Sequence, residues 1–116
     1  MKAPKAGTKV NIRLLGQEWQ VCFVGKPYKD FVGPGRFLST KCIIEVLVSR
    51  GWSRWWFDVL THELLECVLA NLQHRYSAPM QKELLFSFNH ADLTAITAEF
   101  SGALDQIICQ LNKTLA

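Results

Sequence analysis

The chain has 116 residues, of which 49% are hydrophobic, and a net charge of +3. That length is typical of one domain, and the apolar fraction is large enough for a core without disulfides or a structural metal. No stretch approaches the ~18 uncharged apolar residues of a membrane span, and the basic N-terminus lacks the apolar segment of a secretory signal. We therefore expect one cytoplasmic domain with a flexible tail at residues 1–7 and no membrane partner.

Four cysteines are scattered through the chain: Cys22, Cys42, Cys67 and Cys109. Each lies in an apolar stretch, and no two of them form a Cys-x-x-Cys pair, which argues against a zinc ribbon or a thioredoxin-like site. We expect all four to be unpaired, buried and reduced.

Charge is distributed unevenly between the two halves of the chain. Residues 1–57 carry ten Lys and Arg against three acidic residues, whereas residues 58–116 carry three basic residues against seven acidic ones. A basic segment can attract nucleic acid or an acidic partner. The basic residues here are spread through predicted strands and loops, so a solvated surface is the favoured interpretation and nucleic acid is not the expected partner.

The first half of the chain has the pattern of a small β-sheet. Residues 9–15 and 19–24 alternate between apolar and polar side chains and are joined at Gly16-Gln17, which predicts a β-hairpin. Residues 27–37 contain Gly33-Pro34-Gly35 and are predicted to form a loop. Residues 41–49 are rich in β-branched side chains and predict a central third strand.

The second half has the pattern of two helices. Ser53 is a candidate cap for a helix running to about Arg75, and the tryptophans at its start are expected to form a hydrophobic lid and not a base-stacking platform. A short alternating piece at 84–88 precedes Asn89, the candidate cap of a second helix. The apolar stripe of that helix is expected to consist of Leu93, Ile96, Phe100, Ala103, Leu104, Ile107 and Leu111. The fold class is therefore α+β, with a sheet of three to four strands packed against two long helices.

One motif on the first predicted helix suggests metal chemistry: His62-Glu63-Leu64-Leu65-Glu66. His62 and Glu66 are four residues apart, so they share a helix face and can bind one ion together. Glu63 is rotated roughly a third of a turn from them. Two ligands one turn apart beside a free carboxylate are typical of the zinc-hydrolase helix, in which Glu63 would be the general base. The usual motif ends in His, and here it ends in Glu66.

A catalytic zinc site needs a third protein ligand. The chain has two other histidines, and His74 lies about 18 Å beyond His62 along the same helix, which is too far. His90, at the first turn of the second helix, is the better candidate. The predicted zinc ligands are therefore His62, Glu66 and His90, with Asp92 or Glu99 as replacements for His90.

A strand followed by a His-Glu-x-x helix, with a third ligand on a later helix, resembles the gluzincin branch of the zincin metallopeptidases. In length the chain is similar to the short, phage-type zincin-like proteins. That family takes two His from the first helix and Glu from the second, whereas this chain would take His62 and Glu66 from the first and His90 from the second. The resemblance covers roughly residues 38–111 and implies a zinc metallopeptidase that acts on a peptide or protein.

Three functional interpretations remain open at this point. The first is a minimal zinc hydrolase with Glu63 as its catalytic base, in which the hairpin and the strand at 41–49 form the rim of the cleft and an edge strand holds an extended peptide. The second is a non-catalytic interaction module of the same fold, which the small size favours. The third is a nucleic-acid binder that uses the basic first half.

Overall fold

The computed structural model describes residues 3–26, 33–48, 55–72 and 90–115. They form an α+β fold, as predicted, in which a four-stranded mixed sheet packs against two helices. In chain order the elements are β1 (Lys9–Leu14), β2 (Gln17–Val24), β3 (Gly35–Leu38), β4 (Ile43–Leu47), α1 (Trp55–Asn71) and α2 (His90–Leu115).

The predicted hairpin is confirmed: β1 and β2 pair antiparallel, from Lys9 opposite Cys22 to Leu14 opposite Gln17. Its turn lies one residue earlier than expected, at Leu15 and Gly16, whose φ angles are 54° and 74°. Two consecutive positive φ values are typical of the tight turn that matches the twist of paired strands. Glycine adopts this conformation without strain, whereas Leu15 does so at a cost.

The sheet order is β1-β2-β4-β3, so the predicted central strand is confirmed as β4. It pairs parallel with β2 and antiparallel with β3. The expectation that residues 27–37 are entirely loop was wrong, because Gly35–Leu38 form the edge strand β3. Four residues are too few to show an alternating pattern, and β3 exists because its backbone pairs with β4. Residues 27–32 lie outside the described part of the chain.

Helix α1 ends at Asn71, before the predicted end near Arg75. The predicted cap Ser53, the predicted cap Asn89 and the predicted short strand at 84–88 lie outside the described residues. The apolar stripe of α2 is confirmed at Ile96, Ala103, Ile107 and Leu111, which are all buried. Leu93 was expected in that stripe but is 43% exposed. That exposure leaves the first turn of α2 outside the core.

Both helices pack on one face of the sheet, where alternate strand residues form the core. Trp56, at the start of α1, is 1% exposed. Its ring contacts Phe23 edge-on, with ring centroids 5.9 Å apart. The predicted hydrophobic role of the aromatic cluster is therefore confirmed for Trp56. Trp52 lies outside the described residues.

Helix α2 also covers the outer edge of β1. The side chain of Gln106 accepts a hydrogen bond from the Arg13 N–H at 2.7 Å and donates one to the Arg13 carbonyl at 2.9 Å. Gln110 donates to the Asn11 carbonyl at 2.6 Å. Exposed strand edges invite pairing with other chains, and these amide side chains occupy the edge as a neighbouring strand would.

Residues 3–7, expected to be a loose tail, contact the sheet: Pro4 is buried and the Gly7 N–H donates to the Phe23 carbonyl at 2.7 Å. All four cysteines are unpaired, as predicted. Their expected burial was correct for Cys67 but wrong for Cys109, which is exposed on α2. Neither described helix has the length and apolar character needed to cross a membrane.

Candidate metal centre

Helix α1 brings the side chains of His62 and Glu66 together, as their four-residue spacing predicts. The Nε2 atom of His62 lies 3.1 Å from Oε2 of Glu66. The His62 side chain is 71% exposed and that of Glu66 is 24% exposed. The pair therefore lies on the solvent side of α1, where a small ion can reach both groups.

Glu63 occupies a different environment because it faces the sheet. It is only 9% exposed, yet its carboxylate makes no hydrogen bond or salt bridge within the described residues. Burial raises the pKa of the Glu63 carboxyl above its ordinary value, the nearby Glu66 carboxylate raises it further, and His62 opposes the shift. A buried carboxylate without a partner is uncommon, because desolvating a charge is costly unless another group compensates it.

Gly35, on β3, allows α1 to approach the sheet at this point. A Cβ atom on Gly35 would lie 2.7 Å from Cγ of Glu63 and 2.7 Å from a methyl carbon of Val59. Both distances are shorter than real contacts of a Cβ atom, so any larger residue at this position would have to displace a neighbouring side chain. The sequence analysis missed this role because it assigned the Gly33-Pro34-Gly35 stretch to a loop. The signal was the glycine itself, since a glycine in a strand often marks a close approach of another element.

A surface groove of about 510 Å³ runs between β3 and α1. The side chains of Glu63 and Glu66 form one wall. The other wall is the segment Gly35–Thr40, which comprises β3 and the turn after it. We expected the rim to come from the hairpin and the strand at 41–49, but neither lines this groove. Instead β3 lines the groove, because β3 is the strand that α1 packs against at Glu63.

The donor atoms of His62, Glu63 and Glu66 all lie within 4.8 Å of one another. One imidazole nitrogen and two carboxylates suit a divalent cation of the first transition series, zinc included. Such a cation would also compensate the buried charge of Glu63, so the residues present fit the predicted metal.

His90 does not belong to this group. Two contacts show that helix α2 runs antiparallel to β1. Glu99 accepts a hydrogen bond from the N–H of Leu15, just after β1 ends. Gln110, which comes later in α2, donates to the carbonyl of Asn11, which comes earlier in the chain than Leu15. His90 lies nine residues before Glu99 and is exposed, so it extends about 13 Å past the β1–β2 turn. Glu63 packs at Gly35, towards the opposite end of the sheet.

The structure therefore places His90 away from the other predicted ligands, and the zinc affinity of His90→Ala is the test of its predicted role. Of its replacements, Glu99 already bonds to Leu15 at 2.7 Å. His74 lies outside the described residues.

Comparison of the chain with protein-family models, with curated proteins and with solved structures finds no match. The resemblance to the zincins therefore depends on the His62-Glu63-x-x-Glu66 motif and on the element order alone.

Proposed function

We propose that this chain is a minimal zinc-dependent hydrolase of peptide bonds, with His62 and Glu66 as the two metal ligands among the described residues and Glu63 as general base. One observation carries the proposal. Three donor groups converge within 4.8 Å, and one of them is a buried carboxylate without a hydrogen-bond or salt-bridge partner among the described residues. Two of the three, Glu63 and Glu66, line a groove.

The assignment of His62 and Glu66 as ligands follows from distance. Two zinc ligands with bonds of ~2.0–2.1 Å at a tetrahedral angle lie about 3.3 Å apart. The 3.1 Å between His62 Nε2 and Glu66 Oε2 is close to that value, so the pair needs little movement to bind an ion. A bound zinc ion would supply Lewis acidity, polarising a carbonyl oxygen and increasing the acidity of water.

Glu63 is better suited to the role of general base than to that of a third metal ligand. It forms no salt bridge with His62, although its carboxylate lies within 4.8 Å of the donor atoms of both proposed ligands. A base must reach its proton directly or through one water, and the Glu63 carboxylate lies close enough to both proposed ligands to do so. Its burial also keeps the carboxylate out of bulk solvent while one side opens to the groove.

The groove supports an extended peptide as the substrate. Among the described strands, β3 lies at one end of the sheet order, and an extended chain can add to a strand at such a position through main-chain hydrogen bonds. At the other end, the outer edge of β1 is occupied by the side chains of Gln106 and Gln110. A peptide beside β3 would pass Glu63 and Glu66, which line the same groove.

The test begins with zinc titration of chelator-treated protein by calorimetry. We expect one site per chain, weaker than four-ligand structural zinc sites because it has fewer protein ligands. His62→Ala and Glu66→Ala should each weaken zinc binding at least tenfold. Asp105→Asn, which removes an exposed carboxylate on α2, is the matched control and should bind zinc as wild type does.

Glu63→Gln separates a base from a ligand. With an unstructured fluorogenic peptide library as substrate, Glu63→Gln should retain zinc affinity and lose hydrolysis, because an amide cannot accept the proton. Zinc at 100 times its Kd should stabilise wild type and Glu63→Gln alike, by about 2.7 kcal/mol. Loss of zinc binding in Glu63→Gln would make Glu63 a ligand. Absence of zinc binding by wild type would refute the proposal.

A non-catalytic interaction module of the same fold is the second candidate. It is favoured by the His62–Glu66 contact, because two polar groups 3.1 Å apart can satisfy each other without any metal. This candidate predicts that the protein binds peptides along β3 with the same affinity in the presence and absence of a chelator, and that hydrolysis never occurs.

A further inference from the structure

The side of the sheet that faces away from α1 and α2 carries an ordered row of polar side chains. Strand register aligns Lys9 with Cys22, Cys22 with Glu45, and Glu45 with Arg36, so one row crosses all four strands. These residues alternate with the core residues of their strands, which point towards the helices. We call this side the open face, defined by Lys9, Gln20, Cys22, Arg36, Ile43 and Glu45.

A concavity of about 520 Å³ lies on the open face. The described residues that line it include four cationic side chains (Lys9, Lys26, Arg36 and Lys41) and a single carboxylate, Glu45. Glu45 is already neutralised, because its Oε1 atom lies 2.5 Å from Nε of Arg36. Within the described part of the chain, none of the three lysines forms an ion pair. As far as the described residues show, the concavity therefore carries the positive charge of three lysines without a compensating carboxylate.

We propose that the open face binds a small phosphate-bearing anion of nucleotide size. The volume lies within the ~300–1,000 Å³ range of small-molecule sites. The row from Lys9 to Arg36 spans three inter-strand spacings, about 14 Å, which is comparable to the length of a nucleoside triphosphate. The lysines that line the concavity would supply charge, while Cys22 and Gln20, which also line it, would offer polar groups to the rest of the ligand.

This site and the proposed metal centre lie on opposite sides of the sheet, although the concavity and the groove share two lining residues of β3, Arg36 and Leu38. Gly35, which packs on Glu63, points towards the helices, whereas its neighbour Arg36 points to the open face. Because the sheet lies between the two sites, removal of metal should leave anion binding unchanged. The two proposals therefore succeed or fail independently.

The experiment is a titration of chelator-treated protein with inorganic triphosphate and with ATP, followed by amide chemical shifts and calorimetry. Saturable binding should shift the amide signals of Cys22, Ile43 and Glu45. Lys9→Gln and Lys41→Gln should each weaken binding about fivefold, the effect of one nearby charge in water. Lys113→Gln, which removes an exposed lysine on α2, is the matched control and should change nothing.

Four outcomes would overturn the proposal. Binding could be absent, or Lys113→Gln could weaken it as much as Lys9→Gln does. Citrate could bind as well as triphosphate, which would show general anion attraction. A single-stranded oligonucleotide could bind much more tightly through the same lysines, which would make the open face a nucleic-acid surface.

Discussion

Replacing Gly35 with alanine should destabilise the protein, because the new Cβ atom would lie 2.7 Å from Glu63 Cγ, 2.7 Å from a Val59 methyl carbon and 3.2 Å from the Glu45 carbonyl oxygen. Forcing one extra carbon into such packing typically costs ~1–3 kcal/mol. Alanine also restricts the unfolded chain, which offsets ~0.4–1 kcal/mol of that cost. We therefore expect a net loss of about 1–2 kcal/mol in the free energy of unfolding.

Urea denaturation followed by circular dichroism measures this loss. Gly102→Ala is the matched control: its Cβ would meet no atom within 4 Å, and alanine is favoured over glycine in helices by ~1 kcal/mol, so this variant should be stabilised. In a Glu63→Ala background the cost of Gly35→Ala should fall, because Cγ of Glu63 is gone. Wild-type stability of Gly35→Ala, or an unchanged cost in that background, would refute the packing argument.

Three further predictions concern other parts of the molecule. Burial raises the pKa of the Cys67 thiol to about 12, so between pH ~9 and 12 this thiol ionises only in the unfolded state. Wild type should therefore lose stability relative to Cys67→Ala by about 1.4 kcal/mol per pH unit over that range. A stability difference that does not change with pH would contradict this. In a thiol titration of the folded protein, Cys109 should react first. Gln106→Ala should cost about 1–2 kcal/mol for its two bonds to β1 and speed amide exchange at that edge, and unchanged exchange would argue against edge protection. His90→Ala should keep the zinc affinity of wild type, as calorimetry can check, and weakened binding would restore His90 as a ligand.

Local patterns predicted those parts of the fold that local physics determines. The hairpin follows from alternation on both sides of a glycine, and the buried stripe of α2 follows from helical periodicity. β3 could not be predicted this way, since a four-residue strand has no pattern of its own and depends on pairing with β4. The exposure of Leu93 was also missed. Periodicity identifies the buried face of a helix, but it does not show where along the helix the core ends.

The sequence likewise predicted one part of the candidate metal centre and missed another. The contact between His62 and Glu66 follows from helix geometry, and the sequence was enough to predict it. The burial of Glu63 depends on β3, and specifically on Gly35, which lets α1 approach the sheet. Since β3 was not predicted, the sequence could identify Glu63 as a candidate base but gave no reason for its burial.

The position of His90 shows why a third ligand is the hardest part of such a site to predict. The periodicity of α2 determines which side faces the core, but a helix can slide along its own axis without changing that side. The axial position is determined by the hydrogen bonds of Glu99 and Gln110 to the backbone of β1, and these are tertiary contacts. Each residue of sliding moves a side chain by 1.5 Å, so only a shift of many residues, which would break both contacts, could bring His90 towards Glu63. The zinc affinity of His90→Ala is therefore also a test of the register of α2 against the sheet.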